Sequence, residues 1–147
     1  MHTDEELRQY PAIFSQLSMR LHAVETVIAQ HGLSLQSLCC IAARGGLLPP
    51  VPADAFEVNP AMLDTLEHHP VNQHASYLGA PIAYALAQRA HLKAYIYDPV
   101  TVDEMIDLLR IAGQREIRHF GQRHNLNIRS AALHYCKNTG GIIPFVC

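Results

Sequence analysis

The stretch LCCIAARGG, residues 38–46, sets a continuous apolar run against an arginine and two glycines. A run this short and this apolar reads as a buried β-strand. Ending it in a permanent charge on a flexible backbone asks for a reason, because ligands of open α/β sheets gather beyond the carboxyl ends of strands. The guanidinium of Arg44 offers a planar donor fork matched to a carboxylate or phosphate. Gly45 and Gly46 allow close backbone approach to a ligand. A second strand, KAYIY at residues 93–97, ends in Asp98-Pro99. Its aspartate is suited to a metal-bound phosphate or a positive partner. On spacing alone, both charges read more readily as solvated loop residues than as ligand contacts.

Outward from these strands the chain reads as helices. TDEE at residues 3–6 is a capping box, with Thr3 as N-cap and Glu6 at N3. Ile13, Leu17, Leu21, Val24, Val27 and Ile28 fall on one helical face, with Pro11 restarting the helix and Gly32 stopping it. PPVPADA is a rigid connection and FEV a short strand. Asn59 and Pro60 open a helix as N-cap and N1. HASYLGAPIAYALAQRAH is a helix with a kink or restart at Pro81. TVDEMIDLLRIAG repeats the capping logic, with Thr101 as N-cap, Glu104 at N3 and Gly113 as stop. Asp103, Glu104 and Asp107 then complement that helix's dipole. A last helix covers residues 126–137, and Gly140 in NTGG caps it. Tyr95 and Tyr97 alternate along their strand and share a face. Strands alternating with helices give an α/β class with a mixed or parallel sheet.

The chain has 147 residues, enough for one domain with a core. Its composition is 49% hydrophobic and 16% charged, which is globular, and its net charge of -2 without a basic block argues against nucleic acid or anionic membranes. No apolar stretch approaches a membrane span, and MHTDEELRQYP is not a signal peptide, so the expected location is cytoplasmic. Cys39, Cys40, Cys136 and Cys147 form no C-x-x-C pair and read as reduced thiols, with Cys39 and Cys40 in the core on opposite strand faces. Ten histidines raise metal binding. However, His68, His69 and His74, and His119 and His124, lack a convergent helical spacing, so surface histidines are the expectation.

Two long segments carry a resemblance. ARGGLLPPVPADAFEVNPAMLDTL, residues 43–66, and QHASYLGAPIAYALAQRAHLKAYIYDPVTVDEM, residues 73–105, resemble butyrate kinases. These belong to the acetate and butyrate kinase branch of the actin-like ATPases. The similarity runs from about Thr3 to Cys136. It implies part of an actin-like (ribonuclease H-like) ATPase domain and reversible phosphoryl transfer from ATP to butanoate or a branched analogue, with Mg²⁺. It also implies homo-oligomers. Arg44 is similar to the cleft arginine of the family's RGG element. Asp98 corresponds to the aspartate of DPVVVDEM, expected to organise Mg²⁺ or the arginine. His74 matches the histidine of HASNLG, a donor to substrate oxygens, and His124 that of FHALN, expected to stabilise the transferring group. Gly45 and Gly46 complete the substrate-binding set.

Two departures from the family pattern stand out. Tyr77 replaces an asparagine, and Arg123 precedes His124 where the family has an aromatic residue. The family's N-x-G-S-x-S phosphate strand and its AHLGGG element do not occur in the sequence. The resemblance therefore implies an internal piece of the first domain, residues 1–136, followed by a divergent tail, residues 137–147. Such a piece carries the acyl-substrate side without the nucleotide side. It is expected to be inactive alone and to expose sheet edges and apolar faces. A non-catalytic remnant that binds small carboxylates through Arg44 is the alternative.

Overall fold

In the computed structural model, residues 3–69, 74–114, 116, 117, 119, 121 and 125–141 are described. Three strands form one sheet in the order β1-β3-β2, where β1 is Cys40–Ala43, β2 is Ala55–Glu57 and β3 is Lys93–Tyr97. β1 and β3 run parallel, with Cys40 opposite Lys93 and Ala43 opposite Ile96. β2 lies antiparallel on the other side of β3, with Phe56 opposite Ile96. A parallel pair needs a long crossover, and residues 44–92 supply it.

The helices follow their local signals. Thr3 Oγ1 accepts from the Glu6 amide, and Glu6 Oε2 accepts from the Thr3 amide at 2.9 Å, opening α1 (Asp4–Arg8). After Pro11 a 3₁₀ turn at Phe14–Gln16 leads into α2, Leu17–Gln30, which stops at Gly32 with φ +63°. Asn59 Oδ1 accepts from the Met62 amide at 2.9 Å and starts α3, Pro60–His68. The expected restart at Pro81 is a 3₁₀ turn, Ala75–Leu78, running into α4, Gly79–Ala90. Proline falls in the first turn of α4, where its missing N–H costs nothing. α5 spans Asn125–Thr139, and the Gly140 amide donates back to the Cys136 carbonyl at 2.9 Å.

The core lies on one face of the sheet. Ala80, Ala83 and Ala87 of α4 pack with Ala94 and Ile96 of β3, joined by Leu47, Leu48, Val58, Leu66 and Tyr77. Small side chains at this helical spacing bring α4 close to the strands. The opposite face is open: Lys93 and Tyr97 are exposed and Tyr95 is half-buried. β1 alternates in the same way, with Ile41 and Ala43 half-buried and Cys40 and Ala42 exposed. The expectation of fully buried strands and of core thiols at Cys39 and Cys40 is therefore corrected. One layer of helices covers one face, and both cysteines are exposed. Large apolar side chains also stand exposed at Ile106, Leu108, Leu109 and Ile111, and on α5 at Ile128, Leu133 and Tyr135.

The helix expected from Thr101 does not form. Val102 instead bridges Val51, the Val51 amide donates to the Thr101 carbonyl, and the Asp103 amide donates to the Val51 carbonyl at 2.9 Å. The residues read as a capping box are engaged elsewhere. Glu104 Oε1 accepts from the Ala53 amide, and Thr101 is buried. Only a 3₁₀ turn, Asp107–Arg110, remains. Asp103 complements no helix dipole. It accepts from Arg110 and from the Met105 amide, while Arg110 also donates to the Met105 carbonyl at 2.9 Å.

Arg110 holds the Asp103 carboxyl below the usual carboxylate range, helped by the Met105 and Gly121 amides and opposed by burial. A folded-state pKa below the unfolded value of about 3.9 stabilises the chain above that pH, and the contribution is lost as pH falls through the folded value. Asp103→Asn is therefore expected to lower the melting temperature at pH 7. The gap to the parent chain should begin to narrow below about pH 4 and close only once the pH has fallen below the folded value. An equal gap at every pH would refute the assignment.

Candidate functional site

β1 and β3 end together, since Ala43 and Ile96 are their last paired residues. The next residues on β1 are Arg44, Gly45 and Gly46, and Asp98 follows Tyr97 on β3. Parallel register thus brings both sequence-predicted elements to one sheet edge, at the carboxyl ends of the strands, where α/β ligands bind.

Asp98 is the most constrained residue there. Its φ of +41° lies in the left-handed region, at a cost of roughly 1–2 kcal/mol for a non-glycine residue. Its amide donates to the Asp54 carbonyl at 3.1 Å, and Pro99 behind it is fully buried. The side chain has no accessible surface, and Oδ2 accepts from Arg129 Nη1 of α5 at 3.1 Å. Among the described residues Oδ1 has no hydrogen-bond partner, nor has the buried Oγ1 of Thr101 three residues on. A buried carboxylate is costly unless paired, so the solvated-charge reading of Asp98 is overturned. Strain and unpartnered buried oxygens in one turn make it a candidate site.

The glycines answer to protein backbone. Gly45 has φ +141°, and a Cβ there would sit 2.6 Å from the Ser76 carbonyl oxygen. Gly46, at φ +80°, donates its amide to that same carbonyl at 3.0 Å. From the other side, a Cβ on Gly79 would stand 2.5 Å from the Arg44 carbonyl oxygen. The close approach that Gly45 and Gly46 make here is to the turn that starts α4. Three glycines therefore lock the Arg44 loop to the HASYLG turn. Arg44 itself is exposed at the edge.

His74 caps that turn. Its Nδ1 accepts from the Ser76 amide at 3.1 Å and lies 2.8 Å from Ser76 Oγ. A nitrogen that accepts an N–H carries no proton, so the neutral ring holds its proton on Nε2, as a donor. Tyr77, the replacement for the family asparagine, does not enter the cleft. Its ring is fully buried in the core beside Leu66 and Ala80.

The site thus brings together Arg44, Gly45, Gly46, His74 and Asp98. His124, with Arg118 and Arg123, lies outside the described residues, as does Cys147. Sequence reasoning missed two residues, Arg129 and Thr101 as a site oxygen. Arg129 is 31 residues from Asp98, and no local pattern announces a pair across that distance. Among the described residues no group of three or more His, Cys, Asp or Glu is arranged to hold a metal ion. His68 is engaged with Asp64 at 3.0 Å. No described helix is long and apolar enough to cross a membrane.

No protein-family model matches the chain. Among curated proteins it is 40% identical over 131 residues to a probable butyrate kinase of Coprothermobacter proteolyticus, covering 89% of this chain and 37% of that protein. It is 36% identical over 139 residues to butyrate kinase 1 of Clostridium acetobutylicum, covering 95% and 39%. It is 37% identical over 136 residues to probable butyrate kinase 2 of Caldanaerobacter subterraneus subsp. tengcongensis, covering 92% and 38%. The chain therefore resembles butyrate kinases along nearly its whole length and spans about two fifths of the length of these relatives.

Gly45→Ala and Gly79→Ala each drive a Cβ into a backbone carbonyl that cannot swing aside. Each is expected to destabilise the chain by about 1–3 kcal/mol in urea unfolding, whereas Gly113→Ala, with open space around it, should change little. Equal effects at all three positions would show that the loop and turn are not locked.

Proposed function

We propose that this chain supplies the acyl-substrate side of a butyrate kinase-like phosphotransferase, which converts ATP and butanoate to ADP and butanoyl phosphate. The observation that carries the reading is Asp98, buried, strained and paired with Arg129 at the sheet edge that also bears Arg44. On this reading the fold is part of an actin-like ATPase domain, with residues 1–136 as the piece and 137–147 as a divergent tail. A cytosolic setting and homo-oligomers go with it.

The chemistry requires two anions to meet. A carboxylate oxygen of butanoate attacks the γ-phosphorus of ATP, a P–O bond forms, and the bond to the bridging oxygen breaks as ADP leaves with its electron pair. The acid is already ionised, so no base is needed, and the protein's task is positioning and charge compensation. Arg44 holds the carboxylate and opposes its repulsion from the phosphoryl group. Asp98 fixes the Arg129 guanidinium so that it meets developing charge without reorganising. His74 donates from Nε2 to a substrate or phosphate oxygen, its orientation set by the Ser76 cap. In the same reading His124 serves the equatorial oxygens of the transferring group. Among the described residues Asp98 Oδ1 and Thr101 Oγ1 are buried hard oxygens without partners, the type of donor that would hold Mg²⁺ together with water and phosphate. When bound there, Mg²⁺ supplies neutralisation of phosphate charge.

The N-x-G-S-x-S and AHLGGG elements do not occur in the 147 residues, so the chain alone is expected to bind butanoate without turning it over. Thermal melts with butanoate test this. At a hundredfold excess over Kd the gain is about 2.7 kcal/mol, and Arg44→Ala should abolish it. His74→Asn, whose amide oxygen can still cap the turn, should keep the melting temperature of the free chain and weaken the butanoate response. Failure of butanoate to stabilise the folded parent chain would end the acyl-side reading. Trapping acyl phosphate as hydroxamate, with ATP and Mg²⁺ present, completes the test. Turnover that Asp98→Ala removes would show that the chain builds a nucleotide site of its own. Butanoate binding that survives Asp98→Ala unchanged would favour a simple carboxylate-binding module.

A further inference from the structure

At the opposite end of β1 from Arg44, two consecutive cysteines carry a second chemistry. Side chains of neighbouring residues in a regular strand point to opposite faces. Here β1 begins only at Cys40, and Cys39 lies just outside the strand. The two Sγ atoms are 4.0 Å apart and both residues are exposed. The contact is a hydrogen bond between sulfurs, and it raises the Cys40 thiol above its ordinary value, with the charge of Cys39 adding to the effect. Cys40 also lines an apolar cavity of about 390 Å³ between α2, β1 and α4, among Val24, Ile28, Leu38, Ile41 and Leu86.

We infer that Cys39 and Cys40 form a dithiol site for a soft, thiophilic centre of the trivalent arsenical class, with the apolar cavity receiving an aryl substituent. Two convergent thiols are a bidentate soft donor. A zinc site needs three or four ligands, and no third His, Cys, Asp or Glu joins the pair among the described residues. A direct S–S bond fits poorly. Adjacent Cα atoms stand about 3.8 Å apart across a trans peptide, short of the range of about 4.4–6.8 Å that disulfides use. A bridging arsenic atom removes that demand, because the sulfurs need not close to about 2.05 Å. With an aryl arsenoxide the reaction balances without an oxidant. Two As–S bonds form, the arsenic–oxygen bond is lost, both thiol protons leave with the oxygen as water, and arsenic stays trivalent.

The test is titration of the reduced 147-residue chain with phenylarsine oxide, followed by intact mass and by the count of thiols that still react with a disulfide reagent. One adduct per chain is expected, with two of the four cysteines protected. The adduct should resist a monothiol and be released by a 1,2-dithiol. Cys39→Ser and Cys40→Ser should each weaken binding by at least about 100-fold, the gain expected from linking two sites. Cys136→Ser and Cys147→Ser should change nothing. Inorganic arsenite, which has no ring for the cavity, should bind more weakly than the aryl probe. Retention of tight binding by either single serine variant, mapping of the adduct to Cys136 or Cys147, or a mass two hydrogens lighter in place of the adduct would overturn the assignment.

Discussion

A carboxylate with no accessible surface, held in a left-handed backbone conformation at the end of a parallel strand, is costly to form and must be compensated. Asp98 is that group, and its compensation reaches across the fold. Its amide is tied to Asp54 on the segment leading into β2, and its side chain to Arg129 on α5. The turn behind it places Thr101 and Val102 against Val51. α5 is therefore tied to the sheet through this turn. Among the described residues the same turn leaves two buried oxygens unsatisfied, an arrangement a stable fold avoids unless something else completes it.

The other half of the sheet edge rests on backbone packing. Arg44 reaches its position because Gly45, Gly46 and Gly79 let two chain segments meet without side chains between them. The turn that His74 caps then begins α4, whose alanines face the strands. Charge and packing thus converge on one end of a sheet covered on one side only. That one-sidedness also explains the half-exposed tyrosines of β3, since no second layer among the described residues covers that face.

Local rules made much of this readable. The capping box at Thr3, the Asn59-Pro60 start, the Gly32 and Gly140 stops and the strand at residues 93–97 depend on neighbours in sequence, and all are present. The reading failed where tertiary contacts outweighed local propensity. Thr101 to Glu104 has the form of a helix start, but Val102 pairs with Val51 and Glu104 reaches Ala53, so the helix does not form. Cysteine's general preference for burial misled at Cys39 and Cys40, because burial depends on a covering layer that composition does not reveal. Arg44, His74 and Asp98 were legible through motif resemblance. Arg129 was not, since a buried aspartate demands a partner without indicating where in the chain it lies.

The central claim is that the Asp98–Arg129 pair organises this end of the molecule, and a double-mutant cycle measures it most directly. Urea unfolding of Asp98→Asn, Arg129→Gln and the double variant, against the parent chain, gives the coupling free energy. A coupling of about 1–3 kcal/mol is predicted, with the double variant less damaged than the sum of the singles. Strict additivity would contradict the account, because it would mean that the two side chains hold their places independently.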